Sequence, residues 1–297
     1  MKNTYEIKKI LTPIDFSESS KNTISHVIEI AKRTNAEIHL LHVMSVSSQV
    51  FPNLEISEIS GSLKERISAE LNKIADEMRA DSGLNVSAEI IEGSISSSIT
   101  GVAAKKKCDI IVMGTHGVSG VQEFFMGSNA YRVVTASTCP VLTVNRTSKN
   151  NDYNTIAMPI DGTRHTRDKV AEVTTFAKLF NAKVMIVGVI SGNHRDEEKI
   201  FEMKIKQVEE HFDIKGVEYE SKIIHGDDIS EMTLSFAQTV GADLIAVMTE
   251  QEARTGLFVG TNAQRIVNHS RIPVLSVTPL ETLDLRYATN NLKPFSF

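Results

Sequence analysis

The sequence contains two copies of one pattern, placed one after the other. Pro13-Ile14-Asp15 in "KKILTPIDFSESS" matches Pro159-Ile160-Asp161 in "NTIAMPIDGTRHT". The same alignment places Ala36–Ser45 on Ala182–Ser191, and "GSNAYRVVTASTCPVLTV" later matches "GTNAQRIVNHSRIPVLSV". Because the matched blocks follow the same order, they indicate a tandem duplication of a unit about half the chain long. The chain is therefore expected to fold as two similar units.

Strand and helix patterns alternate within each copy. In the first copy, the apolar run Lys9–Ile14 predicts a strand, and Ile24 and Val27 share the apolar face of the next helix. The further strands expected there are Ile38–Met44, Asn85–Ile91, Asp109–Met113 and Val141–Val144. The further helices expected are Leu63–Ala80, Ile95–Lys107 and Ser128–Ser137. This alternation predicts an α/β fold, with two tandem doubly wound five-stranded parallel-sheet domains of the Rossmann-like type.

A polar run marks the boundary between the copies. Residues Asn145–Asn154 read "NRTSKNNDYN", which is typical of a connection between domains. We expect a first domain at residues 1–148, a second at 152–280 and a C-terminal tail at 281–297. The tail contains leucine and aromatic residues, so part of it is expected to pack on a domain or on a neighbouring chain. The serine-rich segment Ser45–Gly61 is expected to be a surface loop.

Composition excludes several classes of protein. The net charge of −5 over 297 residues argues against a general nucleic-acid binder. The apolar stretches fall short of the roughly 20 residues that span a bilayer, so a membrane partner is not expected. The N-terminal sequence lacks the apolar core of a signal peptide, and two cysteines make no disulfide framework. We therefore expect a cytoplasmic protein in which Cys108 and Cys139 are inert thiols.

A glycine-rich stretch, "MGTHGVSGVQEFFMGSNAYRVV", separates a predicted strand from a predicted helix. It carries Gly114, Gly117 and Gly127, and Ser128 follows the last of them. Glycines allow backbone N–H groups to approach phosphate oxygens, and a helix N-terminus adds donors and a favourable dipole. The pattern is typical of a phosphate-binding loop, although ordinary tight turns also use glycine.

These glycines, taken with "ILTPIDFSESS", "LLHV" and "DIIVMGTHG", resemble the universal stress protein family, and the duplication resembles its two-domain members. The resemblance implies an adenine nucleotide, ATP in particular, at the carboxyl ends of the strands. It implies that Asp15, Val43 and Met113 contact adenine or ribose and that the glycines line ribose and phosphates. The full set of implied binding residues is Pro13, Ile14, Asp15, Val43, Met113, Gly114, Gly117, Gly127, Ser128 and Asn129.

The charge of the loop predicts a metal cofactor. Residues 114–128 contain Glu123 but neither lysine nor arginine. Because a triphosphate carries several negative charges, we expect Mg²⁺ or Mn²⁺ to accompany the nucleotide, held by phosphates and water. The histidines have no spacing suited to zinc, so a metal centre made of protein ligands alone is not expected.

Function is expected to be nucleotide binding with a regulatory or stress-response role, with at most slow hydrolysis. Two alternatives remain, an enzyme that acts on a nucleotide and a nucleotide-free interaction scaffold. Several residues also have plainer interpretations. Asp15 could cap the next helix, and His116 could be an ordinary loop residue. Phe124 and Phe125 could stack on adenine, whereas their plainer interpretation is packing in the core or in a hydrophobic lid.

The two copies are expected to differ in binding. The second copy reads "VMTEQEARTGLFVGTN", with Met248 or Thr249 in place of Gly114. A side chain there would block a close approach of the backbone, and Glu250 and Glu252 would repel phosphates. We therefore expect one nucleotide per chain, bound by the first copy.

The last strands of the two copies are expected to pair within the chain. Val141–Val144 and Val274–Val277 are apolar strands whose exposed edges would invite aggregation. Single-domain members of the family commonly dimerise through this strand, so the resemblance implies an intrachain pseudo-dimer. The sequence leaves open a homodimer and names no protein partner.

Overall fold

The computed structural model describes residues 5–45, 56–115, 126–148, 150–163, 165–191, 195–249 and 261–279. Its first half alternates five strands with four helices. The strands are β1 (Lys9–Pro13), β2 (Glu37–Met44), β3 (Val86–Glu92), β4 (Ile110–Gly114) and β5 (Val141–Val144). The helices are α1 (Glu18–Thr34), α2 (Ile56–Ser82), α3 (Ile95–Lys106) and α4 (Ser128–Ala136).

The second half repeats this order. Its strands are β6 (Thr155–Ile160), β7 (Lys183–Ser191), β8 (Tyr219–Gly226), β9 (Leu244–Met248) and β10 (Val274–Val277). Its helices are α5 (Val170–Phe180), α6 (Arg195–Lys215), α7 (Ile229–Thr239) and α8 (Thr261–His269). The strands are parallel within each half, and helices cover both faces, which confirms the predicted fold class.

One sheet of ten strands runs through both halves, in the order β3-β2-β1-β4-β5-β10-β9-β6-β7-β8. The halves meet where β5 and β10 pair antiparallel, with Leu142 opposite Leu275. The two last strands thus pair within the chain, as the sequence predicts. Both leucines are fully buried, and burial of each side chain stabilises the fold by about 1.5–3 kcal/mol. The core layer on each face of the sheet continues across this junction.

Helix ends follow local signals in the sequence. The Ser17 side chain caps α1, and Asn35 ends it in the left-handed conformation at φ 55°. Its counterpart Asn181 ends α5 in the same way, at φ 51°. The predicted loop Ser45–Gly61 is shorter than expected, because α2 begins at Ile56 and continues into the helix predicted from Leu63. The serines of this segment do not prevent helix formation.

The connection between the halves packs on α1. Asn22 donates its side-chain amide to the carbonyl oxygens of Asn145 and Ser148, at 3.0 and 2.7 Å. The Asn145 amide in turn lies 3.3 Å from the Ser270 carbonyl oxygen, at the end of α8. Farther along α1, Arg33 lies over the Phe180 ring in α5. The connection is therefore held against both halves.

Candidate functional site

A cavity of about 350 Å³ opens at the carboxyl edge of the first half. It lies where β1 is flanked by β2 on one side and β4 on the other, the switch point at which doubly wound sheets bind ligands. Nine of the ten residues predicted to bind a nucleotide line it together. They are Pro13, Ile14, Asp15, Val43, Met113, Gly114, Gly127, Ser128 and Asn129. The tenth, Gly117, lies outside the described residues.

Asp15 enters the cavity from the loop after β1. Its Oδ1 accepts hydrogen bonds from the backbone N–H of Ser17 at 3.0 Å and from the Ser17 hydroxyl at 2.6 Å. The Ser17 hydroxyl oxygen accepts from the Ser20 N–H, so Ser17 is the residue that caps α1. The plainer interpretation of Asp15 as the helix cap is therefore wrong.

Gly114 ends β4 directly beneath the first turn of α1. A Cβ atom at this position would lie 3.0 Å from the Ser19 carbonyl carbon and 3.1 Å from the Ser19 Cβ. These separations are too short for ordinary contacts, so the close packing of α1 on β4 requires a glycine here. Packing therefore gives Gly114 a structural reason of its own, and its role beside ribose and phosphates remains a prediction.

The N-terminus of α4 forms another part of the wall. Gly127 occupies the cap position and, as a glycine, has no side chain with which to cap the first turn. The Gly127 N–H donates to the Thr115 carbonyl oxygen at 2.8 Å, which ties the helix start to the end of β4. The free N–H groups of a first helical turn attract anions. Ser128 and Asn129 belong to this turn and line the cavity.

Sequence reasoning missed several residues of the wall. The additional lining residues are Ser20, Leu41, His42, Ile95, Ile99, Thr115 and Ala130. Leu41 sits on β2, and Ile95 and Ile99 sit on α3, whose periodicity predicted burial but not exposure to a cavity. With Val43 and Met113 they add apolar side chains to a cavity that also has polar lining residues, a combination typical of small-molecule sites.

His42 supports the loop after β1. Its Nδ1 lies 2.7 Å from the Ile14 carbonyl oxygen, which only accepts, so Nδ1 carries the proton. The imidazole ring packs 4.9 Å from the Phe16 ring, between centroids. Phe16 has φ 64°, an unusual value for a bulky residue, and such strain costs on the order of 1–3 kcal/mol. Strain of this kind often marks functional loops.

The same edge of the second half is built differently. Met248 pairs with Val277 as Gly114 pairs with Val144, so methionine is the counterpart of Gly114. The Met248 side chain is buried in the core. Helix α5 begins later in the repeat than α1 does, and Lys169 rather than a serine occupies its cap position. The close approach of a helix to this strand end is therefore absent from the described part of the second half.

Helix α6 packs closely against the second half's loop after β6. The Lys204 ammonium donates to the carbonyl oxygens of Asp161, Gly162 and Thr163, at 3.1, 2.9 and 3.0 Å. On β7, Gly188 replaces His42, and a Cβ there would lie 2.9 Å from the Ile205 side chain. Side chains of α6 thus fill space that a histidine occupies in the first half.

The two cysteines lie in the described part of the chain, whereas several other residues discussed from the sequence do not. Cys108 and Cys139 are both free and buried, and burial raises their pKa values to about 11 and about 12, so both thiols stay protonated at neutral pH. His116, Glu123 and the phenylalanines at 124 and 125 lie outside the described residues, as do residues 250–260 and 281–297.

Within the described residues, metal-ligand side chains do not cluster and the helices are not membrane-spanning. No group of three or more histidine, cysteine, aspartate and glutamate side chains in this part of the chain is arranged to hold a metal ion. None of its helices combines the length and apolarity needed to cross a bilayer.

Comparison with known proteins identifies the same family over both halves. The universal stress protein family pattern matches residues 6–145 and 152–278. The universal stress protein MJ0531 of Methanocaldococcus jannaschii is 39% identical over 144 residues, which make up 48% of this chain and 84% of that protein. YxiE of Bacillus subtilis is 31% identical over 145 residues, 46% of this chain and 97% of that protein.

A solved structure shares the whole architecture. The crystal structure of a universal stress protein from Archaeoglobus fulgidus superposes with a TM-score of 0.74 at 19% identity. It covers 91% of this chain and 98% of that chain. At this identity the likeness concerns the fold alone. The match extends over both halves of this chain.

Proposed function

This chain belongs to the universal stress protein family, and from that membership we propose that its first half binds an adenine nucleotide, above all ATP, as a regulatory signal in a stress response. The observation that carries the proposal is the cavity that nine sequence-predicted binding residues line together. Their positions come from four separate segments of the chain, so their convergence is not a consequence of sequence proximity.

The chemistry of the wall suits the parts of a nucleotide. The aliphatic side chains of Leu41, Val43 and Ile99 would contact the flat base. Asp15 supplies an acceptor for a hydroxyl or amino donor. The first turn of α4, with Ser128 and Asn129, supplies N–H donors for phosphate oxygens.

A divalent cation fits this arrangement as a companion of the phosphates. Asp15 is the single carboxylate among the described lining residues, whereas a protein-only Mg²⁺ site needs several oxygen ligands. Mg²⁺ or Mn²⁺ would therefore be held by phosphate and water, and its chemistry would be to neutralise phosphate charge. This chain's own residues would bind and orient the base and sugar.

We assign nucleotide binding mainly to the unit at residues 1–148, with poor binding or none by the unit at 152–280. Met248 in place of Gly114 and the contacts of Lys204 with the loop after β6 support this difference. The strands β5 and β10 already pair with each other, so association of two chains would require another surface.

One observation favours a second candidate, a nucleotide-free scaffold. Gly114 is explained by the packing of α1, without a ligand. In that case the ten-stranded sheet would serve to present surfaces to a protein partner. The two candidates differ in whether the purified protein carries or takes up a nucleotide.

The test is to identify what the protein binds. Protein purified without added nucleotide is denatured by heat, and the released small molecules are separated and weighed by mass spectrometry. A second sample, kept folded and freed of bound nucleotide by dialysis, is titrated with Mg-ATP in a calorimeter. We expect an adenine nucleotide in the first experiment and a single site per chain in the second. No released nucleotide and no heat of binding with ATP, ADP or AMP would establish the scaffold instead.

A further inference from the structure

Ser17 lies outside the cavity lining but is bonded to two residues that line it. Its hydroxyl donates to Asp15 Oδ1 at 2.6 Å, and its backbone N–H donates to the same oxygen at 3.0 Å. Its hydroxyl oxygen accepts from the Ser20 N–H at 3.2 Å. A longer contact of 3.4 Å joins the hydroxyls of Ser17 and Ser20. One side chain therefore fixes the positions of Asp15 and Ser20 relative to each other.

The two oxygens of Asp15 are used differently. Oδ1 accepts both bonds from Ser17, and no described residue donates a hydrogen bond to Oδ2. An ionised carboxylate accepts at both oxygens. Since Asp15 is part of the cavity wall, a donor group on a bound ligand is the natural partner for the second oxygen.

We propose that Ser17 is a positioning residue for nucleotide binding, which holds the Asp15 carboxylate so that Oδ2 accepts a hydrogen bond from a hydroxyl or amino group of the ligand. The inference rests on the proposed function. The physical reason is preorganisation: a carboxylate held at one oxygen loses less side-chain entropy on binding than one that turns freely.

The second half repeats this contact away from the cavity. There Thr163 donates its N–H and its hydroxyl to Asp161 Oδ1, at 3.0 and 2.5 Å. The surroundings differ, because Lys204 binds the carbonyl oxygens of that loop. A threonine can therefore make the same two hydrogen bonds as Ser17. Thr163 also provides a matched control outside the half that we propose to bind nucleotide.

Four variants separate positioning from helix capping. Ser17→Gly removes the hydroxyl but leaves a residue that is well tolerated at a helix N-cap, with a cost of a few tenths of a kcal/mol. Ser17→Ala removes both the hydroxyl and the cap. Ser17→Thr keeps the hydroxyl, and Thr163→Ala removes the equivalent contact in the second half. Each full-length variant is titrated with Mg-ATP, and its thermal unfolding is measured without ligand.

We expect Ser17→Gly and Ser17→Ala to weaken Mg-ATP binding by roughly two- to tenfold, the range for having to order one freed side chain, that of Asp15, on binding. Ser17→Thr should stay within about twofold of the wild type, and Thr163→Ala should leave affinity unchanged. If Ser17 acted only as a helix cap, the loss of affinity would follow the drop in unfolding temperature. Ser17→Ala, which removes the cap, would then weaken binding far more than Ser17→Gly.

A double-mutant cycle with Asp15→Ala tests whether Ser17 acts through Asp15. In the Asp15→Ala background, Ser17→Gly should cause little further loss of affinity. An equal loss in both backgrounds would overturn the proposal, as would wild-type affinity in Ser17→Gly. A wild-type protein that binds none of the adenine nucleotides would instead overturn the proposed function, and this role with it.

Discussion

The His26 ring and the Tyr153 hydroxyl lie 2.7 Å apart, and both side chains are fully buried where the connection between the halves crosses α1. The other ring nitrogen, Nε2, lies 3.3 Å from the Ser148 carbonyl oxygen. Since that carbonyl only accepts, Nε2 carries the proton and Nδ1 accepts from Tyr153. Burial lowers the pKa of His26, so the neutral ring is the form that the fold stabilises.

Stability should therefore fall in mild acid. The pKa of His26 is lowered in the fold from its ordinary value of 6.5. The unfolded chain takes up this proton first, so stability is lost as the pH drops below about 6.5 and through the folded pKa. Denaturant unfolding at a series of pH values measures this slope. His26→Gln should make the dependence of stability on pH shallower. Some dependence should remain, because burial also lowers the pKa values of His39 and His211. Equal slopes for variant and wild type would show that His26 does not contribute.

Tyr153→Phe should destabilise the protein at neutral pH. The substitution leaves Nδ1 of His26 buried without its partner, which costs about 1–3 kcal/mol. Urea unfolding measures the difference. Tyr219→Phe is a suitable control, because it removes a hydroxyl whose bond to Asp213 is exposed, and surface changes stay within about 0.5 kcal/mol. Equal costs for the two variants would contradict the buried role of Tyr153.

Gly114→Ala should destabilise the protein even without ligand. The new methyl group would press on the Ser19 backbone, and such overpacking costs about 1–3 kcal/mol. The control is Gly101→Ala in α3, where a Cβ meets nothing within 4 Å. That change should stabilise the helix by about 0.5–1 kcal/mol. Thermal unfolding of both variants checks the signs, and a stabilised Gly114→Ala would refute the packing explanation.

Gly127→Val should abolish Mg-ATP binding at a modest cost in stability, because valine is a poor helix cap. The backbone at Gly127 has φ −57°, which valine tolerates, so the effect arises from the side chain placed at the start of α4. Calorimetric titration measures the loss. Gly260→Val, the sequence counterpart in the second half, should leave binding unchanged. Gly117→Val is also expected to abolish binding on the sequence pattern. Two sites per chain in the wild type would contradict the assignment of binding to the first half.

The sequence predicted what depends on periodicity and repetition. The apolar runs at β1, β4 and β5 are strands in the structure, and the pairing of β5 with β10 follows from two apolar edges that need cover. The residues that the family resemblance implies converge on one cavity because the strand ends of a parallel sheet meet at one edge, and their binding role remains a prediction. The domain boundaries and the cation remain predictions.

Other features depend on contacts between distant residues, which a single sequence does not reveal. Nothing in the local pattern predicts a left-handed Phe16, because bulky residues disfavour positive φ. The reason for Gly114 lies in Ser19, almost a hundred residues away in the chain. Likewise, the choice between Met248 and Thr249 as counterpart of Gly114 required the strand register.

The antiparallel junction of β5 with β10 has a geometric consequence. Because the strands are parallel within each half, the carboxyl ends of the two halves face opposite ends of the molecule. A small molecule seated after β1 and β4 and a protein docked after β6 and β9 would never compete for the same space. The two sets of strand ends, where doubly wound sheets carry ligands, therefore lie on opposite sides of the molecule.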